Sequence, residues 1–375
     1  MTRSIVLLVL LMLGGCAYGH ALPVGDFVNV INPAVRIRTQ VDANGTFYPS
    51  GWTSPAVLGR TRLGDGHSIL NGVARDEDAT LRNAVLANEA AWLQSLHAAF
   101  AGKRRVFILI HGFNLTEPGA TASFAAIQDS IVLTPDDALV EFFWDGLSDE
   151  GSMLGGGRIW FWAAGYSQVA GSRGLRRILD QIEGADVYLL SHSRGASVAL
   201  SALGNPAYDP DFSNATEAVM CATGLARFPP GAPCQSGFLR PPALRENGNR
   251  IHLIMLAPAI GYADFRAPEK VGGEWVNRTF SNQLIDIRHT VNAGDPVLKK
   301  YVRGLSDGFN STDLGSRPFA TEALRRIYPI TPYTVTDHNS HDFTGYVQCD
   351  VFLDMLSAAG VRTRDRPRHA PQQRC

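Results

Sequence analysis

The sequence predicts an α/β protein built on a mostly parallel central sheet. Five apolar runs, at residues 104–112, 138–146, 185–193, 250–258 and 283–291, lack the alternation of half-exposed strands and are typical of strands buried on both faces. Helical segments long enough for parallel crossovers separate several of these runs. We therefore expect a sheet with helices packed on both of its faces.

The bulk composition is that of a globular protein with a sizeable core. The chain has 375 residues, of which 45% are hydrophobic and 18% are charged, and this balance gives no sign of extended disorder. Its 34 basic and 35 acidic residues give a formal net charge of -1. The overall charge therefore indicates neither a nucleic-acid partner nor an anionic membrane surface.

The N-terminus has the pattern of a secretion signal. Residues 1–3 form a short basic segment, residues 5–13 are apolar, and small residues then precede Cys16. The stretch "LMLGGCAYG" resembles the lipobox of bacterial lipoproteins, which implies cleavage before Cys16 and a lipid anchor on that cysteine. Ala17 stands where an aspartate would retain such a protein in the inner membrane, so the resemblance favours the outer membrane of a bacterial cell envelope. The alternative is an ordinary signal peptide with a chance cysteine.

Changes in composition divide the chain into four parts. Residues 1–15 are the predicted signal peptide, 16–100 an N-terminal extension, 101–360 the α/β domain, and 361–375 a tail rich in proline, arginine and glutamine. Residues 205–249 interrupt the alternation of predicted strands and helices, and we interpret them as a cap-like insertion.

The cysteines fit an oxidising compartment. If Cys16 carries lipid, four cysteines remain, an even number in a secreted chain. We favour a pair of Cys221 with Cys234, which closes a short loop rich in proline and glycine, and a pair of Cys349 with Cys375, which ties down the tail. A metal site is the weaker alternative, because no cysteine has a CxxC partner.

The stretch "LLSHSRG" ends the third apolar run and can form a sharp turn from a strand into a helix. A nucleophile on such a turn needs small residues two positions before and after it, because larger side chains would collide. Ser193 meets this condition with Ser191 and Gly195. A nucleophile at Ser191 would require a small residue at Leu189, and Ser197 would lie inside the helix, where its hydroxyl is usually bonded locally. We therefore predict Ser193 as the nucleophile.

An earlier strand ends in a second feature of acyl-transfer sites. Two backbone amides must face the oxyanion of the intermediate, one from the residue after the nucleophile and one from a loop after an earlier strand. The segment "HGFN" at 111–114 can supply the second amide. We predict the amides of Arg194 and Phe113 as the oxyanion hole. The alternative is an ordinary turn that uses Gly112 only for its backbone angles.

Five motifs occur in the order and approximate spacing of the α/β-hydrolase superfamily, namely "FILIHGFN", "VEFFWDG", "LLSHSRG", "VNAGDPVL" and "HNSHDFTGY". The first is similar to a bacterial family of predicted serine hydrolases of unknown function with lipase-like members. The resemblance covers residues 104–355. It implies an α/β-hydrolase fold with eight strands and the order nucleophile, acid, histidine, which falls on Ser193, Asp295 and His341. Ser191 and Arg194 depart from the residues usual in the family and leave the specificity open.

The acid can also be argued from the residues alone. Asp295 follows the fifth apolar run on a short turn, where a carboxylate is well placed to orient an imidazole. An aspartate before a proline is also a routine helix cap, which is the alternative reading. Asp264, after the preceding strand, is the competing acid.

Two histidines compete for the base. His338 and His341 both follow a predicted last strand at 327–335 and precede a helix. His341 matches the family better, since it lies five residues before an aromatic residue, Tyr346. We predict His341 as the base. His111 and His192 are expected to shape the oxyanion loop and the elbow, and the remaining histidines are expected to be structural.

These features predict two-step acyl transfer through an acyl-enzyme on Ser193, with no metal or organic cofactor. The expected substrate is a small-molecule or lipid ester, because the aromatic segment at 159–166 would form an apolar lid or acyl-binding wall. The alternative for this segment is a helix packed on the sheet. The alternative for the whole protein is a lipid-anchored hydrolase-fold protein without catalysis that binds a partner or scaffolds the envelope.

Overall fold

The structure, a computed structural model, describes residues 34–47, 59–60, 67–68, 80–147, 163–222, 239–299, 312–364 and 375. Several predictions fall outside these residues. They concern the signal peptide, Cys16, Cys234 with the side chain of Cys221, and the first part of the aromatic segment at 159–166.

A seven-stranded sheet forms the centre of the described part of the chain, and every neighbouring pair of its strands is parallel. The strand order is β1 (Val35–Gln40), β5 (Asp137–Phe143), β4 (Arg105–Ile110), β6 (Asp186–His192), β7 (Arg250–Leu256), β10 (Leu284–Val291) and β11 (Ile330–Thr334). The predicted fold class is confirmed, and all five apolar runs and the predicted last strand lie in this sheet. The resemblance implies eight strands, of which the described residues contribute seven.

Two short antiparallel pairs lie outside the central sheet. One joins β2 (Gly59–Arg60) to β3 (His67–Ser68), and the other joins β8 (Arg266–Val271) to β9 (Glu274–Asn277).

The helices follow the strands in the expected alternation. They are α1 (Thr80–Phe100), α2 (Glu117–Ser130), α3 (163–179), α4 (Gly195–Leu203), α5 (Pro210–Ala222), α6 (Pro296–Lys299), α7 (Asp313–Ser316), α8 (Pro318–Leu324), α9 (Phe343–Gln348) and α10 (Asp350–Ala358). Helix α3 contains a π-helical segment, Ala170–Leu175, and a 3-10 turn at Tyr262–Phe265 precedes β8.

Successive side chains of the strands pack alternately into two apolar layers, one on each face of the sheet. In β4, Val106 and Ile108 point to the layer that contains α1, α3 and α4, while Phe107 and Leu109 point to the layer that contains α2, α9 and α10. This is the side-chain period of two in a strand covered on both faces. It explains why the apolar runs are continuous in the sequence.

Strand β1 lies in the segment that the sequence predicts as an extension and adds an edge strand next to β5. Its two arginines, Arg36 and Arg38, reach the buried carboxylate of Glu141 on β5, at 3.1 Å for the Nε of Arg38. The Arg38 guanidinium also lies over the ring of Phe143, 4.8 Å from its centroid. The two arginine side chains therefore neutralise the buried Glu141 carboxylate where β1 pairs with β5.

Two buried arginines bind the carbonyl groups at the C-terminal end of α4. Arg176 donates to the carbonyls of Ser201 and Ala202 at 2.8 and 2.9 Å, and Arg278 donates to the Gly204 carbonyl at 2.6 Å. The last carbonyls of a helix have no partner within the helix and carry partial negative charge. The two guanidinium groups satisfy these carbonyls and fix the far end of α4.

The C-terminus is tied to the domain by a disulfide between Cys349 and Cys375, the pair predicted from the sequence. At the start of the same tail, Thr363 forms an isolated antiparallel bridge with Ile131, and the Arg364 amide donates to the Ser130 carbonyl at 3.0 Å. None of the helices within the described ranges is both long enough and apolar enough to cross a lipid bilayer.

Candidate active site

Ser193 lies on the turn between β6 and α4 with a φ of +51°. This left-handed conformation is unfavourable for a residue other than glycine and persists only where the surroundings enforce it. Here the Ser193 amide donates to the Leu256 carbonyl at 2.9 Å, and the Ser193 carbonyl accepts from the amides of Ala196 and Ala259 at 3.2 and 3.1 Å. The turn is therefore held from both sides, and it has the strained geometry of a nucleophile elbow.

Two glycines let the elbow and the neighbouring loop come close together. A Cβ at Gly195 would lie 2.6 Å from the His111 carbonyl oxygen, and a Cβ at Gly112 would lie 2.9 Å from the Cβ of Ser193. Neither position tolerates a side chain without movement of the backbone. Gly112 thus lies directly against Ser193, and the predicted oxyanion donor Phe113 is the next residue along the chain.

The structure brings Ser193, Asp295 and His341 into one hydrogen-bonded chain. The His341 Nε2 is 2.8 Å from the Ser193 Oγ, and the His341 Nδ1 is 2.7 Å from the Asp295 Oδ2. Because an ionised carboxylate only accepts, the imidazole proton belongs on Nδ1, which leaves Nε2 to accept from the serine hydroxyl. This is the arrangement of a nucleophile with a base that is oriented by a third group. The catalytic roles of the three residues remain a prediction.

Asp295 is fully buried and accepts four hydrogen bonds. Its Oδ1 accepts from the amides of Val297 and Leu298 at 2.9 and 3.1 Å, and its Oδ2 accepts from His341 and from the Tyr346 hydroxyl at 2.7 Å each. Burial alone would raise the pKa of the Asp295 carboxyl, but the hydrogen bonds and the charge of His341, with the other donors, outweigh it and hold that pKa below its usual value. The carboxylate is therefore ionised at neutral pH.

The competing acid, Asp264, lies elsewhere. Its Oδ1 is 3.4 Å from the Nη1 of Arg194 and its Oδ2 accepts from the Gly261 amide at 2.9 Å. Burial lowers the pKa of the Arg194 guanidinium, and the charge of Asp264 opposes this effect. The Arg194 side chain is thus buried against Asp264.

His338, the competing base, contacts Tyr346. Its ring is 4.6 Å from the Tyr346 ring in an edge-to-face arrangement, and its backbone carbonyl accepts from the Asn292 side chain at 2.8 Å. The described residues contain one group close enough to hold a metal, His338 with Cys349 and Cys375. Both sulfur atoms of that group are joined in the disulfide, so they are not available as thiolate ligands.

His111 fixes the loop at 111–114, which carries the predicted oxyanion donor Phe113. Its Nδ1 donates to the Gly112 carbonyl at 2.7 Å, and its Nε2 accepts from the Trp144 amide at 3.1 Å. The Trp144 indole in turn donates to the His111 carbonyl at 2.9 Å. Burial lowers the pKa of His111 to about 4. The imidazole is therefore neutral, and its hydrogen bonds hold the backbone that leads into Phe113.

His192 lies next to His341, the predicted base, at the end of β6. Its ring stacks on Phe343 with centroids 4.7 Å apart and lies 4.9 Å from the His341 ring. Burial, reinforced by the neighbouring His341, lowers the pKa of His192 well below its usual value. A neutral imidazole thus packs beside the predicted base.

Sequence reasoning assigned no role to Tyr346 and Asn292, which the structure places behind Asp295. The Asn292 Nδ2 donates to the Tyr346 hydroxyl at 2.8 Å, and that hydroxyl donates to Asp295. Their sequence signals were weak. Tyr346 served only to identify His341, and Asn292 reads as a turn residue before Asp295.

The described part of the predicted insertion packs against α3. Tyr208 and Ser172 share a hydrogen bond of 2.9 Å, and the ring of Phe212 meets Tyr166 edge-on at 5.5 Å. Tyr166 is the last residue of the aromatic segment at 159–166 and is buried. This end of the segment therefore packs in the core, while its role as a lid stays a prediction.

One comparison with known proteins gives a match. Residues 87–267 match the family described as "Alpha/beta hydrolase of unknown function (DUF900)". The matched region contains Ser193, Arg194 and the loop at 111–114, while Asp295 and His341 lie beyond it. Neither a curated protein nor a solved structure matches the chain significantly.

Proposed function

Because residues 87–267 match a family of α/β hydrolases, we propose that the protein is a serine hydrolase that cleaves an ester through an acyl-enzyme on Ser193. The observation that carries the proposal is the continuous contact from Ser193 through His341 to Asp295, with distances of 2.8 and 2.7 Å. Three residues from distant parts of the chain meet in the geometry that acyl transfer requires.

In the first step the Ser193 Oγ forms a bond to the ester carbonyl carbon while its proton passes to the His341 Nε2. The carbonyl oxygen takes the negative charge, and the amides of Phe113 and Arg194 donate to it. Collapse of this intermediate breaks the ester bond. His341 returns the proton to the leaving alcohol, and the acyl group remains on Ser193.

In the second step water attacks the acyl-enzyme. His341 takes a proton from the water, the new oxyanion uses the same amides, and the Ser193 Oγ leaves with the proton from His341 as the acid is released. Asp295 stays ionised throughout and stabilises the imidazolium. Helix α4 begins at Gly195, so the positive end of its dipole points toward the oxyanion and supports the same charge.

Two finer proposals concern the substrate and the location. The apolar segment at 159–166 favours a lipid or long-chain ester, so turnover of p-nitrophenyl palmitate should exceed that of the acetate, and the reverse order would contradict this preference. We also propose a lipid on Cys16 and a location in the bacterial cell envelope, which the lipobox-like stretch supports. A Cys16→Ser variant should lose membrane partitioning, and unchanged partitioning would refute the anchor.

Labelling with a fluorophosphonate probe tests the proposed function. The wild-type protein should be labelled, and Ser193→Ala should abolish labelling because it removes the nucleophilic oxygen. Ser197→Ala is the matched control, since the Ser197 hydroxyl is buried one turn into α4 with no hydrogen-bond partner among the described residues. Ser197→Ala should label as the wild type does. A folded wild-type protein that takes no label would support the alternative of a non-catalytic envelope protein.

A further inference from the structure

Behind the predicted triad the hydrogen-bonded chain continues for two more residues. The Tyr346 hydroxyl is 2.7 Å from the Asp295 Oδ2, the same oxygen that accepts from His341, and the Asn292 Nδ2 is 2.8 Å from the Tyr346 hydroxyl. Tyr346 and Asn292 are both buried. The complete chain runs from Asn292 through Tyr346, Asp295 and His341 to Ser193.

The direction of each hydrogen bond follows from Asn292. Its Oδ1 accepts from the Gly294 amide at 2.8 Å, which fixes the orientation of the side-chain amide. Its two N–H groups then donate to the His338 carbonyl and to the Tyr346 hydroxyl, at 2.8 Å each. Since the Tyr346 oxygen accepts from Asn292, its single proton is directed to Asp295.

We infer that Tyr346 is a positioning residue for the reaction, which acts by fixing the Asp295 carboxylate against His341. The inference rests on the proposed function, because it assigns Tyr346 a role in the same site. Helix α6 holds one carboxylate oxygen of Asp295 through the amides of Val297 and Leu298. Tyr346 holds the other oxygen, so the carboxylate cannot rotate away from His341.

Tyr346 also sets how strongly Asp295 attracts the imidazolium. A phenol that donates to a carboxylate disperses part of its negative charge. Loss of the phenol concentrates that charge on the oxygen that faces His341, so the imidazolium form persists to higher pH. The base is then protonated over a wider range, and the acid limb of the pH profile of kcat/KM moves to higher pH.

Removal of the Tyr346 hydroxyl replaces none of the other titratable groups around His341. His192 lies 4.9 Å from the His341 ring, Asp342 is the next residue and caps α9 through the Gly345 amide, and the His338 ring lies 4.6 Å from the Tyr346 ring. A shift of the acid limb on removal of the phenol hydroxyl therefore reports on the contact between Tyr346 and Asp295.

The test compares Tyr346→Phe with Tyr328→Phe in the full-length protein. Tyr328 is the matched control, since its buried hydroxyl donates to the Arg278 carbonyl at the same distance of 2.7 Å, away from the predicted triad. Tyr346→Phe should lower kcat about tenfold with KM nearly unchanged, and it should raise the acid-limb midpoint by about half a pH unit. Tyr328→Phe should lower the thermal midpoint and leave the pH profile in place.

A proton NMR measurement tests the same contact without turnover. The wild-type protein should show two low-field resonances, from the His341 Nδ1 proton and from the Tyr346 hydroxyl proton, and Tyr346→Phe should lose the second and move the first further downfield. A wild-type pH profile and kcat in Tyr346→Phe, or a single low-field resonance in the wild type, would overturn the inference. A wild-type protein that shows both resonances but takes no fluorophosphonate label would instead refute the proposed function.

Discussion

Asp295 uses its two carboxylate oxygens for two different tasks. The sequence offers a helix cap and a catalytic acid as alternatives for this residue, and the structure shows that the contacts of both coexist. One oxygen accepts from the first amides of α6, and the other accepts from His341 and Tyr346. The cap orients the carboxylate toward the imidazole, so a routine local motif is part of the candidate site.

Separate replacement of the two aspartates should distinguish their roles. Asp295→Asn should lower kcat by about a thousandfold or more, because an amide no longer holds the imidazole in the tautomer that accepts the serine proton. Asp264→Asn should keep kcat per folded molecule nearly unchanged. It should instead reduce the free energy of unfolding by about 3 kcal/mol, since it removes the carboxylate beside the buried Arg194. Steady-state kinetics with urea unfolding of both variants checks this, and equal losses of kcat would contradict it.

At the residue scale, the sequence predicts the features that depend on local steric fit. The turn at Ser193 demands small neighbours, and that demand is visible within five residues of sequence. Tyr346 and Asn292 are different, because 54 positions separate them and their contact arises only when α9 packs beside the end of β10. No local pattern marks such a pair.

Helix α4 is held at both of its ends. Its first turn follows the strained Ser193, and its last carbonyls accept hydrogen bonds from Arg176 and Arg278. Burial lowers the pKa of Arg278 to about 9, so this guanidinium still carries its charge at neutral pH. A buried cation at the negative end of the helix dipole is favourable. It helps to hold α4, and with it the turn at Ser193, in place.

Replacement of Arg278 should therefore destabilise the domain. Arg278→Leu leaves the Gly204 and Asp264 carbonyls without their donor, and we expect a loss of about 3 kcal/mol in the free energy of unfolding. Arg317→Leu is the control, because Arg317 pairs with Asp313 at the surface, where such a pair contributes about 1 kcal/mol or less. Urea unfolding at neutral pH measures both, and comparable losses would argue against the role of Arg278 at α4.

At the element scale the sequence predicts the inner strands and misses β1. The inner strands are buried on both faces and therefore read as continuous apolar runs. Strand β1 alternates valine and isoleucine with arginine in a stretch rich in proline and asparagine. Its partner, β5, begins about a hundred residues later, so the pairing that makes β1 a strand is not visible locally.

In the whole molecule the candidate site assembles at one edge of the sheet. Parallel strands place their carboxyl ends together, and the loops after β4, β6, β10 and β11 carry Phe113, Ser193, Asp295 and His341. For this reason the order of strands and junctions in the sequence indicates the fold and predicts the edge of the sheet at which a site would assemble. The contacts between the loops, including the buried pair of Arg194 and Asp264, depend on packing that the sequence does not display.

The central claim, that Ser193 forms an acyl-enzyme, is tested most directly by trapping that intermediate. The protein is mixed with p-nitrophenyl acetate, quenched in acid within the first turnover, and digested for mass spectrometry. We predict a burst of p-nitrophenol together with one acetylated peptide that maps to Ser193, and neither in Ser193→Ala. Acetylation at another residue, or steady hydrolysis by Ser193→Ala at the wild-type rate, would contradict the account.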